Sequence, residues 1–363
     1  MPGRRTVPVD PDLCRRCQID PPTINVRTEP LCAACFFKYV STKIVKRMES
    51  FRVRHRDPGR ERVLLLPLSL GPCSTCLLHI LSQHLQGQAQ KTGRTGFRLH
   101  VLYVSSPESE GDAAVFEKVR ERYPEHLCST IPLENVLACD GVSELLQRQN
   151  PSPISDSEES TSTVCPAQRL ASLFSSLPSP TSRTDMKAIL QRKLITTFAQ
   201  QNNCEAILWG DSTTRLAERT LAETAKGRGA SLPWIVADGD ALHGIPFYYP
   251  LRDLLSKEIS SFTSMVELPL DDMILREASK PAVSTKNTTI DELMRQYFES
   301  VEQEYPSIVA NVVKTTGKLC ITDLGEVERQ SFLCYEWPST QHFDSTNVDH
   351  YSPKPGSKYG RDE

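Results

Sequence analysis

Four cysteines near the start of the chain stand in two matched pairs. Cys14 and Cys17, then Cys32 and Cys35, occur in "CRRCQIDPPTINVRTEPLCAAC", a C-x2-C pair, fourteen residues, and a second C-x2-C pair. A two-residue gap lets both thiolates of a pair reach one ion from a tight knuckle, and two knuckles close a tetrahedral zinc site. Four sulfur ligands leave no open position, so the spacing predicts a structural site and not a catalytic one. Four unrelated buried cysteines would not repeat the spacing. A ubiquitin-ligase ring needs a second metal's ligands, which the neighbourhood lacks.

A second stretch with chemical potential is "VLLLPLSLGPCSTCLLHIL", Val63 to Leu81. It reads as an apolar strand, a glycine turn and an apolar helix, the arrangement in which a helix's unpartnered N–H groups point at a phosphate. The turn, however, carries a proline and two cysteines where a phosphate grip would want glycines and polar side chains. Cys73 and Cys76 sit where a helix N-terminus lowers a thiol pKa, which would suit sulfur relay. Packing is the competing and preferred role for both.

Between these stretches lies a basic segment. Phe37, Val40, Ile44, Met48 and Phe51 recur every three or four residues, one stripe of a helix. Around and after them come Lys38, Lys43, Lys46, Arg47, Arg52, Arg54, Arg56, Arg60 and Arg62, against Glu49, Asp57 and Glu61. Such a face can neutralise phosphates with salt-sensitive affinity, and an ordinary solvated face has the same composition. Lys43, Lys46, Arg47, Arg52, Arg54 and Arg56 are the candidate RNA contacts, since arginine forks suit phosphate oxygens.

The elements that must position these residues alternate. After the first strand, "FRLHVLYVSSP" reads as a strand, "GDAAVFEKVRERYPEHL" as a helix and "CSTIPLENVL" as the start of a third strand. Further on, "MKAILQRKLITTFAQQNN" reads as a helix, "CEAILWG" as a strand and "LAERTLAETAKGRG" as a helix. "IPFYYPLRDLLSKEISSFTSM" adds a strand, turn and helix, and "IDELMRQYFESVEQEY" a last helix. Alternation predicts an α/β protein with a doubly wound parallel sheet, whose ligands sit beyond the strand C-termini.

The chain has 363 residues, a net charge of -3, 12 cysteines and 26 prolines. Balanced charge confines any nucleic-acid contact to a local patch. The start lacks an apolar leader and no run is long enough to span a bilayer, so a soluble, cytoplasmic protein is expected, with cysteines serving metal or thiol chemistry. The expected organisation is a zinc ribbon over 1–36, a basic helix and connector over 37–62, and the α/β domain over 63–149 and 186–278. A disordered Ser/Pro-rich insertion is expected over 150–185, a helical region over 279–319 and an atypical, disordered tail over 320–363.

The order ribbon, strand–loop–helix, "LWGDSTTRLAERTL", "YYPLRDLLSKEI" and "YPSIVANVVKTTGKL" resembles the ATP-pyrophosphatase-type tRNA thiolation proteins, of the adenine nucleotide alpha-hydrolase-like class. The likeness covers about Leu13 to Leu319 and is greater to the less catalytic-looking of the two eukaryotic subunits. Active members carry Ser-Gly-Gly-x-Asp-Ser after the first strand. Ser69, Gly71, Ser74 and Thr75 keep that pattern here. Leu70 adds a side chain, Pro72 removes an N–H donor, and Cys73 replaces the aspartate. The family's Gly-His-Asn-x-Asp-Asp becomes Gly210-Asp211-Ser212-Thr213-Thr214-Arg215, so the acidic pair is gone. A cysteine expected after the "SKEI" helix is missing.

The resemblance implies a subunit of a heteromeric thiolase that installs sulfur at carbon 2 of the wobble uridine in tRNAs for lysine, glutamate and glutamine. Its implied partners are tRNA, a catalytic subunit that supplies the ATP site of the heterodimer, and a thiocarboxylated ubiquitin-related modifier as sulfur donor. Two other readings are an enzyme that adenylates tRNA through the altered loop, and a zinc-dependent adaptor without RNA binding. The tail, with only Cys320 and Cys334, departs from the cysteine-rich ending of the family.

Overall fold

A computed structural model describes residues 10–53, 61–106, 111–142, 165–239, 244–275 and 288–319. The first element is a hairpin of β1 (Ile24–Val26) and β2 (Glu29–Leu31), antiparallel with Ile24 opposite Leu31. Its two-residue turn begins at Arg27, whose φ of 58° is left-handed, as a tight hairpin turn demands. Helix α1 (Ala33–Arg47) follows at once. Its buried stripe is Phe36, Tyr39, Val40 and Ile44, continued by Met48 and Phe51. Phe37, expected on that stripe, is only half-buried and meets Phe262 edge-on with ring centres 5.3 Å apart.

Five parallel strands form the main sheet: β3 (Val63–Pro67), β4 (Arg98–Ser105), β5 (Leu127–Pro132), β6 (Ala206–Leu208) and β7 (Phe247–Tyr248). Their order is β5-β4-β3-β6-β7. The chain winds outward from β3 through β4 to β5, then returns to β6 on the other side of β3. The switch point therefore lies between β3 and β6, where a crevice opens beyond the strand ends. Side-chain alternation splits the core cleanly. Leu64 and Leu66 face one layer and Leu65 the other, all three fully buried.

The layer under Leu64 and Leu66 holds α1, α2 (Pro72–Thr92), α3 (Asp112–Arg122) and α8 (Ser256–Met265). The opposite layer holds α5 (Pro180–Gln201), α6 (Thr213–Ala225), α7 (Leu232–Val236), α9 (Ile290–Glu304) and α10 (Pro306–Thr316). Helix α2 stops at Gly93, whose φ of 66° is the left-handed helix-ending conformation.

The insertion expected to be disordered is folded in its second half. Residues Pro166–Ser176 form α4, and α5 begins at Pro180, well before the expected start at residue 186. The Ser/Pro content concealed an apolar set. Leu170 and Leu177 are buried with Met186, Leu190 and Leu194 in a small separate core. Prolines open both helices at a position where no N–H is needed, and the Ser179 hydroxyl caps α5. Residues 150–164 of that insertion and the tail 320–363 lie outside the described residues.

Candidate functional site

The hairpin and the start of α1 bring the four ribbon cysteines together. Their sulfur atoms all lie within 4.8 Å of one another, and Cys17 Sγ is 3.7 Å from Cys32 Sγ. A tetrahedral ion with sulfur at about 2.3 Å needs an edge of about 3.8 Å. Gln18 turns the first knuckle with a φ of 53° and donates its N–H to the Cys14 carbonyl at 2.9 Å. Burial raises the Cys14 thiol, but backbone N–H groups at Cys17, Cys32 and Arg16 outweigh it and hold it at about 6. Cys35 is driven up to about 12 by burial and then by its three sulfur neighbours. A bound cation removes that mutual repulsion, so the donor set fits a metal. A full sulfur shell leaves no vacant position for substrate.

Helix α1 then lays a basic face beside the ribbon. A groove of about 850 Å³ runs along it, walled by Arg16, Lys38, Tyr39, Lys43 and Lys46. Lys38, Thr42 and Lys46 fall at successive four-residue steps, one line of the helix. Among the described residues no carboxylate forms an ion pair with Lys38, Lys43 or Lys46, although Asp253 also lines the groove and, with Glu258, attracts Lys43. Arg16 and Lys43 both rest on the Tyr39 ring, 4.8 Å and 5.2 Å from its centre, and Arg16 also pairs with Glu29 at 3.2 Å.

Arg47 departs from its expected role. Its guanidinium grips Asp253 at 2.8 and 3.0 Å and Asp238 at 3.3 Å, so its charge is spent tying α1 to the segments on either side of β7. Arg52 pairs with Glu49 one turn away at 2.5 Å. Arg54 and Arg56 lie outside the described residues. Arg16 and Tyr39 escaped sequence reading because one sits in the knuckle and the other in the apolar stripe.

At the switch point, Leu68–Gly71 connect β3 to α2, and the Ser69–Thr75 motif runs from that turn into the first turn of the helix. Leu70 takes a φ of 57° and buries its side chain completely. A left-handed leucine costs about 1 kcal/mol, and glycine would take that conformation freely. Pro72 occupies the first turn of α2 and donates nothing. Ser69 Oγ lies 3.1 Å from Ser74 Oγ, which lies 3.2 Å from the Gly71 carbonyl. The Ser69 and Ser74 hydroxyls thus bond within the loop, and Thr75 donates to the Met273 carbonyl at 3.5 Å.

The β6–α6 turn closes the crevice from the other side. A side-chain carbon at Gly210 would come within 2.8 Å of Ser74 Cα, so the two loops touch backbone to backbone. Asp211 is held by Arg219 at 3.0 Å. Ser212 caps α6 and meets Ser256 Oγ at 2.7 Å, while Thr213 donates to the Arg252 carbonyl at 2.7 Å. Thr214 donates to buried Glu302 at 2.8 Å, and the Glu302 carboxylate also accepts the Lys257 N–H at 2.8 Å. The separated motifs of the sequence therefore converge on one place. The Asp211, Ser212, Thr213 and Thr214 side chains are taken up by bonds to neighbouring residues.

Burial pushes the Cys73 thiol up to about 12 and the Cys76 thiol well above its ordinary value. The lowering expected at a helix N-terminus is overwhelmed by desolvation. Glu302 is the participant no sequence signal announced.

A parallel five-stranded sheet wound about this switch point has the adenine nucleotide alpha-hydrolase-like fold, with a four-cysteine ribbon ahead of it. The fold is similar to that of the U34-tRNA thiolase NcsA from Methanococcus maripaludis with its 4Fe-4S cluster, at a TM-score of 0.55 and 13% identity over 88% of this chain and 94% of that one. Within the class the sequence is more specific. The protein named Cytoplasmic tRNA 2-thiolation protein 2 from Phaeosphaeria nodorum is 48% identical over 324 residues, 88% of this chain and 83% of its own length. The protein of that name from Coccidioides immitis is 37% identical over 88% of this chain and 86% of its own.

This chain belongs to the cytoplasmic tRNA 2-thiolation protein 2 family. The profile of that family matches residues 289–347, which begins at α9 and runs past Leu319, so the likeness extends into the tail beyond the quoted motifs. No helix among the described residues is long and apolar enough to cross a membrane.

Proposed function

We propose that this chain is a tRNA-binding, non-catalytic subunit of a heteromeric thiolase acting on the wobble uridine of tRNAs for lysine, glutamate and glutamine. The observation that carries the reading is the filled switch point. Leu70, Pro72 and the Gly210–Ser74 contact leave no bare backbone to grip a triphosphate. Adenylation of the uridine oxygen then falls to a catalytic partner that holds ATP, and a thiocarboxylated ubiquitin-related modifier supplies the sulfur in the cytoplasm.

The ribbon holds zinc through Cys14, Cys17, Cys32 and Cys35. Its chemistry is structural: the ion fixes the knuckles and the start of α1, and through them the direction of the basic groove. Lys38, Lys43, Lys46 and Arg16 contact the tRNA backbone, with Arg52, Arg54 and Arg56 extending the charge. Ser69, Gly71, Ser74, Thr75, Gly210 and Asp211 hold the loop closed and bind no nucleotide. Cys73 and Cys76 are packing residues.

Reconstitution tests the reading. The chain, its catalytic partner, ATP, sulfur donor and unmodified tRNA are combined, and 2-thiouridine is quantified. Both subunits are expected to be needed, with binding of tRNA weakened by the Lys38, Lys43 and Lys46 substitutions. Full thiolation by the partner without this chain would overturn it.

A further inference from the structure

Exposed large apolar side chains gather at one end of the described residues. Leu293, Tyr297, Tyr305, Ile308 and Leu319 all lie in α9, α10 and their flanks, whereas Ile19, Leu127 and Leu268 stand singly elsewhere. Single exposed apolar residues are ordinary on a protein surface, and a group of them marks a contact.

On α10 the group forms a line. Tyr305, Ile308, Val312 and Thr315 follow one another at steps of three and four residues, one stripe of the helix. Tyr305 and Ile308 are 55% and 46% exposed, Val312 is half-buried, and Leu319 beyond the helix end is 47% exposed. This stripe is not the core face. Val309, Val313 and Thr316 are the buried residues of α10, and they lie about a quarter turn round the helix. A helix needs one apolar face to pack, and α10 carries a second row beside it. Lys314 and Lys318 follow on the far side of that row, and α10 contains no acidic residue.

We propose that the stripe is the docking surface for a segment of the same chain, Ser331–Trp337, "SFLCYEW". Composition, charge and connection point to that occupant. Phe332, Leu333, Tyr335 and Trp337 are the densest apolar and aromatic group after Leu319. Residues 320–337 bear Asp323, Glu326, Glu328 and Glu336 against Arg329, opposite in sign to the lysines that flank the stripe. The family profile covers residues 289–347 as one stretch, joining α9 and α10 to this segment.

Distance and concentration agree. The chain from Leu319 to Phe332 can span up to about 40 Å, whereas the 11 residues of α10 occupy about 16 Å. A tether that short holds the segment at an effective concentration on the order of millimolar. A contact too weak to recruit a second copy from dilute solution therefore still fills the stripe. The proposal is independent of the thiolase reading.

Hydrogen–deuterium exchange and hydroxyl-radical footprinting of the full chain test it, with Ile308→Asp and Trp337→Asp as variants. Exchange in β3 and β4 reports folding. In the wild type the amides of Ser331–Trp337 should exchange at least about tenfold more slowly than in Ile308→Asp. Trp337→Asp alters only the segment, so its reading stands even where Ile308→Asp disturbs α10. It should raise radical labelling of Tyr305 and Ile308 by at least about twofold.

A wild-type segment that exchanges as fast as an unfolded chain overturns the proposal. So does protection that survives Ile308→Asp, or labelling of Tyr305 and Ile308 that Trp337→Asp leaves unchanged. Protection that appears only as protein concentration rises assigns the stripe to a second copy and overturns it equally.

Discussion

Replacing Lys38, Lys43 and Lys46 together by alanine should change how tRNA affinity responds to salt, whereas replacing Arg47 should not. The three lysines form no ion pair among the described residues and line one groove with Asp253 at its edge. If each neutralises one phosphate, they contribute about -2 to -2.7 to the slope of log affinity against log salt. Between 50 and 200 mM salt that corresponds to roughly 20- to 40-fold in affinity. The triple variant should bind more weakly at low salt and lose that much less across the range.

Arg47 is bonded to Asp253 and Asp238, so Arg47→Ala should leave the salt slope unchanged and lower stability instead. Arg47 and Asp253 are partly exposed, at 35% and 39%, which discounts the loss to about 1–2 kcal/mol. Filter binding of tRNA at five salt concentrations and urea denaturation read the two quantities separately. A reduced slope in Arg47→Ala with an unchanged slope in the lysine variant would refute the assignment of free and spent cations.

The purified chain should hold one zinc and no iron, measured by metal analysis, and Cys14→Ser with Cys32→Ser should abolish it. Cys73 and Cys76 should resist alkylation at pH 7.5 in the native chain, because both thiols are raised by burial. A Cys73→Ala/Cys76→Ala variant should support thiolation in the reconstituted complex, and lost activity with intact assembly would restore sulfur relay. His79, desolvated beside the Tyr123 hydroxyl at 2.9 Å, is lowered to about 4. Unfolding lets it regain its ordinary value of about 6.5, so the unfolded state binds more protons between those values. Stability should therefore fall as pH drops from 6.5 to 4, by about 2–3 kcal/mol from this group, and His79→Gln should flatten that part of the urea-midpoint profile.

The winding of the sheet was legible because each strand is an apolar run followed by a helical stripe, from "VLLLP" to "AIL". The ribbon was legible because metal ligands repeat at fixed spacing. The second half of the insertion was not, since Leu170, Leu177 and their partners are diluted among serines and prolines and become a core only when α4 meets α5. The fate of Arg47 was equally hidden. Its partners Asp238 and Asp253 are some 200 residues away, and composition cannot say which cations of a basic helix are spent. The altered loop could be read as lacking glycine and aspartate. That its serine hydroxyls bond within the loop and that Gly210 presses on Ser74 required the fold.

Pyrophosphate release is the most direct test of a closed nucleotide crevice. With ATP, magnesium and unmodified tRNA, the purified chain by itself should release none above background, and adding the catalytic partner should start the release. Steady tRNA-dependent release from this chain alone would contradict the account.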